Sequence, residues 1–140
     1  MQRVSELPTR VAVVDDQVMV SEIMALSISK ERDLSLVGVA NTDRDATELL
    51  KREHPDVILL NSRKPSREWV AIVRAMLEES PDSRIVLVAG SGDDELLSEA
   101  LDAGCTGIVS RDRSIAEILG AIRRAFRGEL IAGYPAPSRV

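Results

Sequence analysis

The stretch Arg10-Val-Ala-Val-Val-Asp-Asp16 places a continuous apolar run directly before two carboxylates. Continuous runs of Val, Ile, Leu and Ala are typical of parallel strands covered by helices on both faces, whereas half-exposed antiparallel strands alternate apolar and polar residues. Four similar runs follow along the chain, so the sequence predicts five strands. These are Arg10–Val14, Leu36–Ala40, Asp56–Leu60, Arg84–Ala89 and Gly107–Val109.

Segments with helical spacing separate the apolar runs, and no internal repeat or low-complexity tract interrupts the alternation. Each predicted strand is therefore followed by a predicted helix. The helices are Gln17–Lys30, Asp43–Glu53, Ser66–Glu79, Asp93–Ala103 and Ile115–Arg127.

The fifth helix has the clearest pattern. Ser114 and Glu117 have the spacing of a capping box, and Gly128 occupies the position where a helix commonly ends in a left-handed residue. Gly104 is predicted to end the fourth helix in the same way. The apolar face of the fifth helix is predicted from five residues at helical spacing: Ile115, Ile118, Leu119, Ile122 and Phe126.

Five strand–helix units predict an α/β fold. Parallel strands need crossover connections, and these are right-handed, so we expect a three-layer, doubly wound (βα)5 flavodoxin-like sheet with strand order 2-1-3-4-5. The 140 residues are about the size of one domain. We divide the chain into an N-terminal lead at 1–9, the α/β domain at 10–128, and a linker or tail at 129–140 that contains Pro135 and Pro137.

The composition argues against several classes of protein. A net charge of -5 disfavours a free-standing binder of nucleic acid or anionic membrane, since both need a concentrated positive surface. Cys105 is the only cysteine, so no intrachain disulfide is possible and we expect a cytoplasmic protein. Residues 1–8 lack the apolar core of a signal peptide, and no apolar run approaches the ~20 residues that cross a bilayer.

The residues that follow the strands are the candidates for a site, because ligands of open parallel sheets bind beyond the carboxyl ends of the strands. Asp15 and Asp16 follow the first strand, Asn61 the third and Arg111 the fifth. The two carboxylates either hold a hard cation such as Mg²⁺ or cap the first helix, whose N-terminus favours negative charge. Arg111 either neutralises them or is an exposed loop residue.

From Val11 to about Gly128 the chain resembles a response-regulator receiver domain, of the type found ahead of LuxR-type helix-turn-helix outputs in the NarL/FixJ family. The resemblance implies a two-component signalling module in which Asp15 and Asp16 help to hold Mg²⁺ and an aspartate at the position of Asn61 accepts a phosphoryl group. Three segments carry it: Val11-Ala-Val-Val-Asp15-Asp16, Pro55-Asp-Val-Ile-Leu-Leu-Asn61-Ser-Arg-Lys-Pro65 and Ala100-Leu-Asp-Ala-Gly-Cys-Thr-Gly107.

The chain departs from the family at four positions of that mechanism. Asn61 replaces the phosphate-accepting aspartate, and a neutral amide oxygen is a much poorer nucleophile and metal ligand. Ala89 stands at the position of a hydroxyl, Ile108 at that of a switch aromatic and Arg111 at that of a lysine, whose reach and geometry differ. Because four parts are altered together, we interpret the change as a natural loss of phosphorylation, with a vestigial metal position and no resident cofactor.

The leading hypothesis is therefore a phosphorylation-independent pseudo-receiver, which is not an enzyme but a dimerisation or protein-interaction module of a transcription regulator. DNA would be reached only through an output domain beyond Val140. An acidic fourth helix and a basic fifth helix could pair across a two-fold axis, or both faces could simply be solvated. The residues predicted for this contact surface are Asp94, Glu99, Arg123, Arg124 and Arg127.

Two alternatives stay open. A small-molecule sensor is suggested by Gly90-Ser-Gly92, a loop at a strand end ahead of a helix N-terminus. A phosphotransfer-competent receiver would have to use Asp15 or Asp16 instead, or recover an aspartate by deamidation at Asn61-Ser62. An unrelated enzyme has little support, since no catalytic grouping can be built around the single histidine, His54, and Cys105 is expected to be a small buried filler.

Overall fold

A computed structural model shows a parallel sheet with helices on both faces. It describes residues 7–63, 66–90 and 94–133, and only the backbone of residues 66, 67, 94, 132 and 133. The strands within these ranges are β1 (Thr9–Asp15), β2 (Leu34–Ala40), β3 (Val57–Asn61), β4 (Arg84–Ala89), β5 (Gly107–Ser110) and β6 (Ile131–Gly133). The helices are α1 (Val18–Ser29), α2 (Asp43–Glu53), α3 (Ser66–Glu79), α4 (Asp94–Ala103) and α5 (Ile115–Phe126).

The strand order is β2-β1-β3-β4-β5-β6, and every neighbouring pair is parallel. The predicted order 2-1-3-4-5 is thus confirmed for the first five strands. Each predicted strand and helix is present, with ends that differ by at most two residues. Since parallel strands all end at the same edge, this order brings the carboxyl ends of β1, β3, β4 and β5 together.

The sixth strand corrects the predicted domain end. Residues 129–140 were assigned to a tail, but Ile131 is 1% exposed and pairs with Gly107 of β5. Gly107 permits this approach, because a Cβ there would overlap the backbone carbonyl of Ile131. Because β6 pairs with β5, the sheet extends past residue 128. A strand of three residues is too short to show a periodic pattern, so the sequence did not predict it.

The sheet divides the core into two layers. Helices α2, α3 and α4 cover one face, where Leu50, Trp69 and Val73 are buried. Helices α1 and α5 cover the other, where Ile28 and Ile122 are buried. None of the helices in the described ranges is long and apolar enough to cross a bilayer.

Helix α5 has the predicted ends but a shorter buried face. Ser114 and Glu117 form the capping box, and Gly128 has a φ of 84°. Ile115 and Phe126 are 40% and 43% exposed, which corrects the predicted apolar face. They lie on the same stripe as the buried residues but in the first turn and at the last residue of the helix, so only the middle of the predicted face is buried. The buried residues of the helix are Ile118, Leu119, Ala121, Ile122 and Ala125.

Candidate functional site

The carboxyl ends of the strands bring together three residues that the sequence singled out. Asp15 ends β1 and lies directly opposite Asn61 at the end of β3, its neighbour in the sheet. Arg111 follows β5, on the far side of β4, and its backbone N–H donates to the carbonyl oxygen of Ala89 at 2.6 Å. The long side chain of Arg111 therefore has to reach back across β4 to meet the other two residues.

Asn61 links Arg111 to Asp15 through hydrogen bonds. The Nε and Nη2 groups of Arg111 donate to Oδ1 of Asn61 at 3.1 and 2.8 Å, and Nδ2 of Asn61 donates to Oδ2 of Asp15 at 3.0 Å. A guanidinium only donates and an ionised carboxylate only accepts, so the residue between them needs an acceptor at one end and a donor at the other. The amide meets both needs, and we call this arrangement the Arg111–Asn61–Asp15 bridge.

Asp15 is a buried carboxylate with fixed partners. It is 2% exposed, and its Oδ1 accepts from the backbone N–H of Gln17 at 2.8 Å, just before α1. Burial raises the pKa of Asp15 above its usual value, while the hydrogen bonds from Gln17 and Asn61 act to lower it. Asp16 is exposed, and its like charge acts to raise the same pKa. The bond to Gln17 is made to the residue that precedes α1, and no side-chain cap bond or acidic residue is found in the fully described first turn of that helix, so the predicted capping role is not met.

A second arginine, Arg63, lies at the edge of the sheet formed by the carboxyl ends of the strands, which we call the rim. It was not among the site residues predicted from the sequence. It is exposed, two residues after Asn61, and its positive charge acts to lower the pKa of both Asp15 and Arg111. The sequence did contain a signal for Arg63, since it is a basic residue in the loop that follows β3, and such loops converge on one edge of the sheet. The positive charges of Arg111 and Arg63 therefore offset the negative charges of Asp15 and Asp16.

Ala89 and Ile108 are both buried beneath this rim. Ala89 ends β4 at 8% exposure, and its methyl group offers no hydrogen-bond donor. Ile108 is fully buried within the layer formed with α2, α3 and α4, opposite Leu87 of β4. The side chains at both positions therefore contribute packing rather than polar contacts to the strand ends.

The side chains at the rim do not fit a divalent cation. Mg²⁺ needs several oxygen ligands in near-octahedral geometry. Asn61 turns its N–H group toward Asp15, and its oxygen accepts from Arg111. In the part of the chain that the structure describes, no three His, Cys, Asp or Glu side chains are grouped closely enough to hold a metal ion. The positive charge facing Asp15 and Asp16 is instead that of the two arginines.

Of the loop suggested for a small-molecule sensor, only Gly90 belongs to the described residues, since Ser91 and Gly92 lie outside them. Gly90 lies against the arginine of the bridge, because a Cβ at this position would be 2.9 Å from Nη1 of Arg111. The absence of a side chain at Gly90 therefore leaves room for the guanidinium to lie over the end of β4.

Arg123 was predicted to face a partner, but it makes contacts within the chain. Its Nε lies 2.7 Å from Oδ2 of Asp33, and its Nη2 lies 2.7 Å from Oε1 of Glu31. The hydrogen bonds from Arg123 lower the pKa of Asp33. These ion pairs link α5 to the connection between α1 and β2. The guanidinium of Arg123 is engaged within the chain, so Arg123 is no longer a candidate for contact with a partner.

The other predicted contact residues differ in what they offer. Arg127 lies 3.0 Å from the carboxylate of Glu129 in an exposed ion pair. Arg124 and Glu99 are exposed on α5 and α4. The side chain of Asp94 lies outside the described residues. Arg124 and Glu99 are therefore the charged side chains on which the predicted surface now depends.

His54 and Cys105 are placed as the sequence suggested. His54 is exposed and ends α2 with a left-handed φ of 44°, away from the carboxyl ends of the strands. Cys105 is buried, and burial raises the pKa of its thiol to about 12. The thiol is therefore protonated at neutral pH and is not an activated nucleophile.

Comparison with known proteins gives one family. Residues 11–123 match the model of the response regulator receiver domain. The chain is 32% identical over 122 residues to an uncharacterized transcriptional regulatory protein, YxjL, of Bacillus subtilis, covering 87% of this chain and 56% of that protein. It is 28% identical over 124 residues to the nitrate/nitrite response regulator protein NarL of Escherichia coli K12, covering 89% of this chain and 57% of that protein.

A solved structure of a NarL signal receiver domain from Mycobacterium tuberculosis is similar over 88% of this chain and 99% of that one. The TM-score is 0.78 at 27% identity. The chain thus spans about half the length of these two curated relatives, while it covers nearly the whole of the solved receiver domain.

Proposed function

The chain belongs to the response regulator receiver domain family, and on that premise we propose that it signals without being phosphorylated. The observation that carries the proposal is the Arg111–Asn61–Asp15 bridge. An amide stands at the position where the family has a phosphate-accepting aspartate, and both of its ends are engaged by neighbouring side chains.

The chemistry of Asn61 supports this proposal. Attack on phosphorus by a side chain needs an oxygen with available negative charge, and a neutral amide does not supply it. The Oδ1 atom of Asn61 also accepts two hydrogen bonds from a guanidinium, which withdraws electron density from that oxygen. Ala89 provides no hydroxyl to bond an added phosphoryl group. The site therefore lacks both the nucleophile and a donor that the family mechanism uses.

The charges at the rim support a second part of the proposal, that folding and signalling need no divalent cation. A cluster of three carboxylates would need a cation to offset its repulsion, whereas here an amide takes the third place. Arg111 and Arg63 supply positive charge from the chain itself. We therefore propose that Asp15 and Asp16 are a vestigial metal position.

The role in the cell follows as a proposal from the relatives. Receivers work by shifting populations between two conformations, and a ligand matters only through its different affinity for the two. Without a phosphoryl group, the balance is set by a partner, by another ligand or by the sequence itself. We propose a dimerisation or protein-interaction module of a transcription regulator, which reaches DNA only through a separate output domain.

The direct test is a phosphorylation assay read by intact-protein mass spectrometry. The chain is incubated with acetyl phosphate and MgCl₂, and we expect no phosphoryl adduct. The matched variant Asn61→Asp shows whether the rest of the site could still support the reaction. A stoichiometric adduct on the unaltered chain, mapped to residues at the strand ends, would overturn the proposal.

A further inference from the structure

A cleft between α1 and α5 leads from the surface to the Arg111–Asn61–Asp15 bridge. Its volume is about 180 Å³, and it is lined by residues of both helices, of the sheet and of the loop between β5 and α5. It lies on the opposite face of the sheet from Ile108 and the α2–α4 layer. The cleft is therefore a space separate from the rim where a phosphoryl group would be added, although the two share the bridge.

The walls of the cleft are aliphatic. Val20 and Met24 line it from α1, Ile118 from α5 and Leu59 from β3. An apolar cavity of about 150 Å³ binds a benzene ring, so this cleft accommodates an apolar body of similar size. Its inner surface would lose contact with water when such a body enters, which favours binding.

One end of the cleft carries an excess of positive charge. Arg111, Arg113 and Asp15 all line it, and the carboxylate of Asp15 already accepts hydrogen bonds from Gln17 and Asn61. Arg113 lies 3.1 Å from the carboxylate of Glu117, whose side chain is 53% exposed. Exposed ion pairs of this kind are weak, so an anionic ligand can take the place of Glu117 at this guanidinium.

The entrance of the cleft is apolar and open. Ile23 and Ile115 line the cleft and are 50% and 40% exposed. Met19 and Leu26, four residues before and three residues after Ile23 on the same face of α1, are 74% and 65% exposed. Single exposed apolar residues are ordinary, but a group of them beside an apolar cleft marks a binding surface.

We propose that this cleft binds a small monocarboxylate with an apolar body. The body lies between α1 and α5, and the carboxylate meets the guanidinium of Arg113, near the positive charge of Arg111, whose Nε and Nη2 groups stay engaged in the bridge. Such a ligand contacts two helices and the bridge together, so it can favour one conformation of the domain over another. The inference goes beyond the proposed function, because binding at this cleft requires neither phosphorylation nor its loss.

The test compares benzoate with benzamide, which have nearly the same shape but differ in charge. Each is titrated into the isotope-labelled chain, and NMR shifts of backbone amides and side-chain methyl groups are recorded. We expect benzoate to shift residues of α1, α5 and the bridge, and benzamide to bind about tenfold more weakly, because a hydrogen bond to a charged group is stronger than one to a neutral group.

Two variants locate the site. Arg113→Gln removes one positive charge without altering the bridge, and we expect about tenfold weaker binding of benzoate with little change for benzamide. Ile115→Trp fills the entrance and should abolish binding of both. Arg124→Gln, which changes another α5 arginine outside the cleft, is the matched control, and circular dichroism verifies that each variant folds.

Three outcomes would overturn the inference: no shifts with benzoate at millimolar concentration, equal affinity for benzoate and benzamide, or equal effects of Arg113→Gln and Arg124→Gln. None of these results bears on the phosphorylation assay. Likewise, a phosphoryl adduct on the unaltered chain would remove the proposed function and leave the binding result standing.

Discussion

At the scale of single residues, the orientation of Asn61 makes its replacement by aspartate informative. A carboxylate at this position would lie 3.0 Å from Oδ2 of Asp15 with no proton between the two oxygens. Like charges at this distance repel, and the attraction of Arg111 offsets only part of the cost of burying a second carboxylate. The side chain that the family normally carries is therefore expected to be unfavourable in this chain.

We predict that Asn61→Asp lowers the free energy of unfolding by about 1–2 kcal/mol at pH 7. The loss should shrink at lower pH, where one proton shared by Asp15 and the new carboxylate relieves the repulsion. It should also shrink with millimolar MgCl₂, since a cation that binds only the folded state stabilises it. Urea unfolding with and without MgCl₂ measures both effects. Asn61→Leu is the control, because its loss of hydrogen bonds should not respond to Mg²⁺.

The buried carboxylate of Asp15 gives a second prediction. Its pKa is raised above 3.8, so between 3.8 and the folded-state pKa the folded chain binds more protons than the unfolded chain. The contribution of Asp15 to stability is therefore present at low pH and is lost as the pH rises through the folded pKa. Carboxyl-carbon NMR should show Asp15 titrating above 3.8, and higher still in Asn61→Leu, which removes a bond that lowers the pKa.

The carboxyl of Asp33 serves as an internal reference in the NMR titration of Asp15. The pKa of Asp33 is lowered by the hydrogen bonds from Arg123, so this carboxyl should titrate below 3.8 in the same sample. A midpoint for Asp15 at or below that of Asp33 would contradict the assignment of Asp15 as a desolvated carboxylate.

The sequence predicts which residues meet at this site better than it predicts how they bond. Asp15, Asn61 and Arg111 could be placed at one edge because they follow parallel strands, and strand ends converge whatever the side chains are. The bridge could not be derived, because it depends on the reach of the Arg111 side chain across β4. Arg63 was missed since its influence depends on where an exposed side chain lies in a loop.

At the scale of strands and helices, the docking of β6 depends on a single glycine. A Cβ at Gly107 would overlap the backbone of Ile131, whereas a Cβ at Gly120 in α5 would meet nothing within 4 Å. The two glycines thus form a matched pair. One is required by a close approach of two strands, and the other lies in a helix where alanine is the better residue.

We predict opposite effects for the two alanine substitutions. Gly107→Ala should lower the free energy of unfolding by about 1–3 kcal/mol, because β6 must move away from β5. Gly120→Ala should raise it by about 0.5–1 kcal/mol. Urea unfolding measures both, and hydrogen exchange of the β5 and β6 amides should show the loss of pairing in Gly107→Ala alone. Equal stabilities of the two variants would contradict the predicted role of the close approach.

Local signals explain which elements the sequence placed accurately. The start of α5 could be read from Ser114 and Glu117, and its end from Gly128, since caps depend on residues adjacent in the chain. The strand β6 and the exposure of Phe126 could not be read in this way. Both are decided by packing partners far away in the sequence, and a three-residue strand leaves no periodic signal.

At the scale of the whole molecule, the charges of α5 divide into two groups. Arg123 is engaged with Glu31 and Asp33, so it stabilises the domain itself. Arg124 is exposed on the same helix, and Glu99 is exposed on α4. If these two faces meet across a two-fold axis, Arg124 of one copy is a candidate partner for Glu99 of the other.

We predict a reversible dimer that weakens as ionic strength rises, because salt screens pairs of exposed charges. Arg124→Glu and Glu99→Arg should each shift sedimentation equilibrium toward monomer, and the double variant should regain part of the lost association because the charges are exchanged. Arg123→Gln should instead lower the free energy of unfolding by up to about 1 kcal/mol and leave the association unchanged. A strict monomer at high protein concentration would remove this surface, and single variants without a rescued double variant would place the contact elsewhere on the helices.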